Sequence, residues 1–272
     1  MTENTKVLSI DFLHSLANQI NYPVNIKNHI PNLLTLANLF CGVVATMYAV
    51  KGFYEMTAIF VVIGILFDFL DGFVARILGV SGELGKQLDS LADVVTSGVV
   101  PGLLLFFLIK INVINRPNVA MEISFGQLEP EFGLLPYVAF LVTLAAAYRL
   151  AKFNLDTRQS DSFIGLPTPA MSLFVVSLPL IYQTTDSEMV KNMLLNNYFL
   201  IGITVILSLL MNMEIPLFSL KFKDFSLKKN VVKFVFFVVS IPMIVMLKYM
   251  AVPLIIIFYV LLSLVSNLFK KA

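Results

Sequence analysis

Tryptophan is absent from this chain, cysteine occurs once, and charged residues make up only 13% of its 272 positions. With Cys41 alone there is no internal disulfide and no thiolate metal cluster, so its expected role is packing within an apolar span. Without tryptophan, a belt of amphipathic rings at a membrane boundary falls to tyrosines such as Tyr54, Tyr137, Tyr198 and Tyr249. The scarcity of charge excludes an ordinary soluble domain. A chain that is 58% hydrophobic, with a mean hydropathy of +0.87, has too little polar surface to cover itself in water. The net charge of +2 gives no indication of nucleic acid, and no such partner is expected.

What the chain has instead is long apolar runs. A bilayer core about 30 Å thick takes roughly 20 apolar residues per helix. The sequence offers about eight such runs, near residues 32–50, 56–79, 87–109, 132–153, 164–182, 196–213, 231–248 and 251–269. The expected fold is therefore all-α, a polytopic membrane helical bundle with about eight transmembrane helices. Residues 1–30 form a mostly polar N-terminal segment without the order of a cleavable signal. Within it "VLSIDFLHSLANQI" repeats apolar residues at helical spacing, as in an amphipathic helix lying on the membrane surface. Residues 31–272 read as one continuous transmembrane domain, with neither low-complexity tract nor internal repeat.

Eight spans put both termini on one side. Tallied by side, 14 of the 19 Lys and Arg residues fall with the termini and the loops after spans two, four and six. The positive-inside rule makes that side cytoplasmic, and the basic loop "KFKDFSLKKN" there faces anionic head groups.

Against this apolar background the segment "FDFLDGFVARILGVSGELGKQLDSLADVV" carries four aspartates and an arginine. Each carboxylate at mid-bilayer costs roughly 2.5–3.5 kcal/mol on insertion scales, so four cost on the order of 10 kcal/mol unless something offsets them. Asp68, Asp71, Gly72, Ala75 and Arg76 share one helical face, and Gly85, Asp89 and Asp93, each four apart, share a stripe of the next span. A hairpin of these two spans brings both stripes together near its cytoplasmic end. Carboxylates that close repel one another unless cations lie between them. Oxygen-only ligation suits Mg²⁺ or Mn²⁺, and a two-ion arrangement suits displacement at phosphorus. The small residues Gly72, Ala75 and Gly85 leave room for a polar head group. Interhelical salt bridging is the structural competitor, but one arginine cannot neutralise four aspartates. A cation or proton pathway is the functional one; such transporters usually have interrupted helices and paired half-chain symmetry, which the sequence does not display.

These positions carry a resemblance. The pattern D-x2-D-G-x2-A-R-x8-G-x3-D-x3-D of the CDP-alcohol phosphotransferases is matched without a gap by Asp68, Asp71, Gly72, Ala75, Arg76, Gly85, Asp89 and Asp93. Two further stretches, "IPNLLTLANLFCG" and "YRLAKFNLDTRQSDSFIGLPTPA", resemble those of the membrane-embedded CDP-diacylglycerol–serine O-phosphatidyltransferases within that family, so that the likeness covers about residues 30–175. The resemblance implies transfer of a phosphatidyl group from CDP-diacylglycerol to L-serine, giving phosphatidylserine and CMP. It implies two divalent ions, Mg²⁺ or Mn²⁺, held by Asp68, Asp71 and Asp89, with Asp93 as general base and contact to the second ion. It places Asn32, Thr35, Gly72, Ala75, Arg76 and Gly85 around the CDP lipid, with Asn38 one turn further in than Thr35. Arg149, Lys152 and Asn154 are the nearest candidates to meet the acceptor's carboxylate. Lys152 departs from the arginine more often found there, which bears on any bidentate contact. The resemblance also implies a homodimer, and a family built on six spans, to which the last pair would be an addition. Glycerol 3-phosphate or inositol phosphate remains open as an alternative acceptor, and transport as the alternative from another class.

Overall fold

The computed structural model describes residues 26–80, 82–114, 135–155, 163–218 and 230–271. The expected amphipathic helix of the N-terminal segment falls outside them. Among the described residues the chain is helical apart from one two-residue strand pair.

Helices α1 (Ile26–Val50) and α2 (Tyr54–Leu78) form an antiparallel pair joined by a tight turn at Gly52, whose φ of 76° suits glycine. Gly79, at φ 62°, ends α2: its N–H bonds the Arg76 carbonyl while the Val80 N–H reaches Ala75 at 3.0 Å. This left-handed cap stops the helix at Leu78, two residues after Arg76, and turns the chain back. Helix α3 (Glu83–Val94) then runs through a π-helical turn, Val95–Val99, into α4 (Val100–Ile114). The sequence suggests one uniform span over 87–109. The π turn interrupts it, and its Thr96, Ser97 and Gly98 are buried.

A 3₁₀ turn, Leu135–Phe140, leads into α5 (Leu141–Leu155). The "GLPTP" run is the turn opening α6 (Thr168–Thr184), with Gly165 at φ 73° and Pro167 just ahead of the first helical residue. Helix α6 is the centre of the bundle: Met171, Phe174, Val175, Val176, Leu178, Leu180 and Ile181 are buried around its whole circumference. A helix apolar on all sides is stable only when other helices surround it. Helices α7 (Glu188–Leu194) and α8 (Asn197–Asn212) meet at a 66° bend, an interrupted span that the sequence did not suggest. There Asn196 Oδ1 accepts from the Tyr198 N–H at 2.9 Å and caps α8.

Helices α9 (Val231–Leu247) and α10 (Ala251–Lys271) follow. Phe236 stacks on Phe258 with ring centroids 6.1 Å apart, whereas one straight helix would separate those residues by about 33 Å. The chain therefore doubles back, and it does so at Lys248, a non-glycine residue at φ 49°. Strand β1 (Phe163–Ile164) pairs antiparallel with β2 (Pro216–Leu217), and α10 fastens this pair through Tyr259 Oη, which donates to the Phe218 carbonyl at 2.8 Å.

By length and apolarity five helical stretches among the described residues are able to cross a membrane, or six if the bent pair α7–α8 is one span. The expected count of eight is not reached on that basis. Helix α6 has 17 residues, short for a span by itself, and residues 231–268 count as one stretch although they fold into the α9–α10 hairpin. An apolar cavity of about 430 Å³ opens between α6, α8 and α10; none of its lining residues is a carboxylate.

Candidate active site

The Gly79 cap and the extended Gly82 reverse the chain between α2 and α3, so the two aspartate stripes meet across the helical hairpin. One oxygen each of Asp68, Asp71 and Asp89 lies within 4.8 Å of the other two. Asp68 and Asp89 approach within hydrogen-bonding reach. Asp71 and Asp93 are buried, whereas Asp68 and Asp89 are partly open. Asp93 stands apart from the three-oxygen group and turns one oxygen toward α1, where Asn38 Nδ2 donates to its Oδ1 at 3.1 Å.

Helix α1 supplies a second such contact. Thr35 Oγ1 donates to Asp71 Oδ2 at 2.5 Å, with the Pro31 carbonyl as a longer competitor at 3.1 Å. The hydroxyl has one proton, and the shorter bond to a carboxylate is the stronger. Thr35 is thus engaged by Asp71, although the resemblance assigned it to the CDP lipid. Asn38 is held in turn by the π turn, where Thr96 Oγ1 donates to its backbone carbonyl at 3.2 Å. Glycines make room for this packing: a Cβ at Gly64 would sit 2.8 Å from Thr96 Cγ2 and 2.9 Å from Asn38 Oδ1, and one at Gly42 would run into Thr96 Oγ1.

The remaining sequence candidates divide by position. A Cβ at Gly72 would meet nothing within 4 Å, so the backbone of α2 borders open space beside Asp71. Ala75 is partly buried in the last turn of α2, and Arg76 there is exposed. Beside Gly85 the structure departs from the expectation of room for a head group. Asn32 Oδ1 lies 3.0 Å from where its Cβ would be, so Gly85 admits Asn32.

On α5, Arg149 is buried, faces Asp93 electrostatically, and leaves its Nε without a hydrogen-bond partner among the described residues. Lys152 instead forms an ion pair with Glu214 at 3.5 Å, a partner far along the sequence. Asn154 is committed as well: its Nδ2 donates to Ser90 Oγ at 2.8 Å and its carbonyl accepts from Lys86 Nζ. Of the three acceptor candidates, Arg149 alone combines burial beside Asp93 with a donor that has no partner among the described residues. Sequence reasoning missed the roles of Ser90, Thr96 and Glu214 and gave Asn38 no partner. One signal was available: Asn32, Thr35 and Asn38 recur every three residues as polar positions in an otherwise apolar span.

The donor set fits a divalent cation. It is all oxygen, three carboxylates converge, and Asp89 Oδ1 is buried with no hydrogen-bond partner among the described residues, an atom for which a cation would compensate.

Comparison with known proteins adds three findings. The family model described as CDP-alcohol phosphatidyltransferase matches residues 28–213, which takes in every candidate site residue and stops before α9. The CDP-diacylglycerol–serine O-phosphatidyltransferase of Helicobacter pylori strain J99 is 36% identical over 156 residues, covering 57% of this chain and 58% of that protein. The protein of the same description from Bacillus subtilis is 31% identical over 156 residues, covering 57% of this chain and 78% of the relative, and the archaetidylserine synthase of Methanothermobacter thermautotrophicus is 29% identical over 151 residues, covering 54% and 56%. The aligned part of the chain thus spans about 58% of the Helicobacter relative's length.

Proposed function

Since the chain belongs to the CDP-alcohol phosphatidyltransferase family, we propose that it transfers a phosphatidyl group from CDP-diacylglycerol to L-serine, releasing CMP. The observation that carries this reading is the convergence of one oxygen each from Asp68, Asp71 and Asp89, with buried Asp93 and the buried guanidinium of Arg149 in their electrostatic neighbourhood. Serine as acceptor is supported by the descriptions of the Helicobacter and Bacillus relatives.

In this mechanism the serine hydroxyl oxygen attacks the phosphorus that bears diacylglycerol. Its bond to phosphorus forms as the bond between that phosphorus and the CMP oxygen breaks. Asp93 takes the hydroxyl proton, and its bond from Asn38 holds the carboxylate in place for that transfer. Arg149 meets the serine carboxylate and orients the hydroxyl toward phosphorus. Gly72 lets the nucleotide approach the α2 backbone, with Ala75 and Arg76 flanking it, while Asn32 closes the space by Gly85. Asp68, Asp71 and Asp89 would hold two divalent ions, Mg²⁺ or Mn²⁺, with Asp93 beside the second. Bound there, such ions supply charge neutralisation at the diphosphate.

The protein is integral to the membrane in this reading, with eight spans once α6 and both arms of the α9–α10 hairpin are included. The termini and the site face the cytoplasm, from which serine arrives, while acyl chains remain in the bilayer, and two chains associate as a homodimer.

The deciding experiment measures CMP release by purified protein with CDP-diacylglycerol and Mn²⁺ or Mg²⁺, comparing serine, glycerol 3-phosphate, inositol and inositol phosphate. Serine-dependent, chelator-sensitive release with phosphatidylserine as product is the expected result. Release with another alcohol only would overturn the acceptor assignment, and cation flux in sealed vesicles without any release would overturn the enzyme reading.

A further inference from the structure

We propose that α1 is a positioning element for the site, in which Thr35 sets the carboxylate of Asp71 and Asn38 independently sets that of Asp93. The proposal rests on the reading of Asp71 as a metal ligand and Asp93 as the base.

Asp71 and Asp93 come from different helices, and each accepts a side-chain hydrogen bond from a third. Thr35 and Asn38 are three residues apart, so they share a face of α1 about 4.5 Å apart along its axis, and each donates to one of the two carboxylates. Their burial argues against direct substrate contact: Thr35 is 3% exposed and Asn38 0%. Each therefore acts through its aspartate.

The direction of both bonds is settled by chemistry. An ionised carboxylate only accepts, so the amide must present Nδ2 and the threonine its proton. The bonds also need a short reach, and the sequence provides it. Beyond Asn38 the same face of α1 carries Cys41, Ala45 and Ala49, all buried and small, which lets α2 and the π turn come close. Gly64 on α2 and Thr96 in the π turn then close around Asn38. In this packing a hydroxyl on three heavy side-chain atoms and a short amide reach their carboxylates without flexible linkers.

The two contacts should separate experimentally in the purified full-length chain. Thr35→Val removes the hydroxyl at constant shape. It should weaken Mn²⁺ binding, measured by calorimetry without substrates, by roughly tenfold or more, and Thr35→Ser should restore it. The KM for CDP-diacylglycerol at saturating Mn²⁺ should stay within about twofold of wild type, since the lipid is not what Thr35 touches. Asn38→Ala should lower kcat by roughly tenfold or more through misplacement of Asp93, with the KM for CDP-diacylglycerol unchanged and a smaller effect on Mn²⁺ binding than that of Thr35→Val. Should Asn38→Ala fail to give a monodisperse protein, Asn38→Ser, too short to reach Asp93, carries the same expectation.

Intact Mn²⁺ binding with a raised lipid KM in Thr35→Val would make Thr35 a lipid contact and overturn its half of the proposal. An unchanged kcat in the Asn38 variants would overturn the other half. The parent reading fails differently: wild-type protein that releases no CMP with any acceptor sinks the transferase assignment. In that event the Mn²⁺ arm still decides whether Thr35 supports Asp71.

Discussion

Asn154 Nδ2 donates to Ser90 Oγ at 2.8 Å, tying the last turn of α5 to α3 one residue after Asp89. The bond joins the helix that carries Arg149 to the one that carries Asp89 and Asp93. Its removal should be visible as a loss of stability. Asn154→Ala and Ser90→Ala should each cost about 1 kcal/mol, and the double variant little more than either alone, because both delete the same bond. Reversible unfolding in mixed micelles measures this, and simple additivity would show that the two residues act separately.

Asp93→Asn should abolish turnover while leaving affinity for the CDP lipid largely unchanged. The amide keeps the shape of the carboxylate but cannot take a proton from the acceptor hydroxyl. Near-normal turnover in this variant would remove Asp93 from the role of base.

Two glycines of α2 should respond in opposite ways. A side chain at Gly72 enters open space, so Gly72→Leu should fold normally and lose CDP-lipid binding by occluding the approach to the backbone. Gly64→Ala drives a Cβ into Thr96 and Asn38, and should destabilise the protein by about 1–3 kcal/mol and lower kcat. Melting curves and binding isotherms on both proteins separate these outcomes. Unchanged lipid affinity in Gly72→Leu would put the nucleotide elsewhere.

Arg149 and Lys152 should differ as acceptor residues. Arg149→Lys loses the planar fork and should raise the KM for serine by roughly tenfold or more. Lys152→Ala should leave the serine KM nearly unchanged, since the Lys152–Glu214 pair is partly exposed and such pairs contribute about 0–1 kcal/mol. A large KM effect at Lys152 with none at Arg149 would reverse the assignment.

Divalent metal should stabilise the protein in the absence of substrate. At a concentration one hundred times Kd, Mn²⁺ should add about 2.7 kcal/mol, seen as a raised Tm that chelation abolishes. In Asp89→Asn the rise should be much smaller. An identical rise in that variant would mean that the ion binds away from Asp68, Asp71 and Asp89.

Much of the site was legible in the sequence because ionised groups in an apolar span are costly, and helical spacing then says which of them share a face. Asp68 and Asp71 on one helix and Asp89 on the next were found that way, and the structure brings one oxygen from each together. What spacing does not report is where a side chain spends its hydrogen bonds. Thr35 and Lys152 look like free binding groups in the sequence, yet one is engaged by Asp71 and the other by Glu214, through contacts between residues distant along the chain. The fold was legible to a similar depth. Apolar runs located the helices and even the break between spans 231–248 and 251–269, where the chain reverses at Lys248, but the 66° bend before α8 and the π turn at Val95–Val99 arise from tertiary packing, and hydropathy carries no trace of them.

The π turn has a consequence for how this sequence tolerates insertion and deletion. A single π turn amounts to one residue added to an α-helix, and one residue is about 100° of rotation. It therefore sets the phase between α3, which aims Asp89 and Asp93 at the site, and α4, which buries Leu104, Leu105, Leu108 and Ile109 in the core. Deleting one residue within 95–99 would remove the added residue and leave a regular α-helix with both faces in place, whereas straightening the turn at unchanged length would rotate α4 by about 100° against α3 and set the two faces against each other. The segment behaves as a clutch between chemistry and packing, and what variation there has to respect is the match between its length and its wide turn.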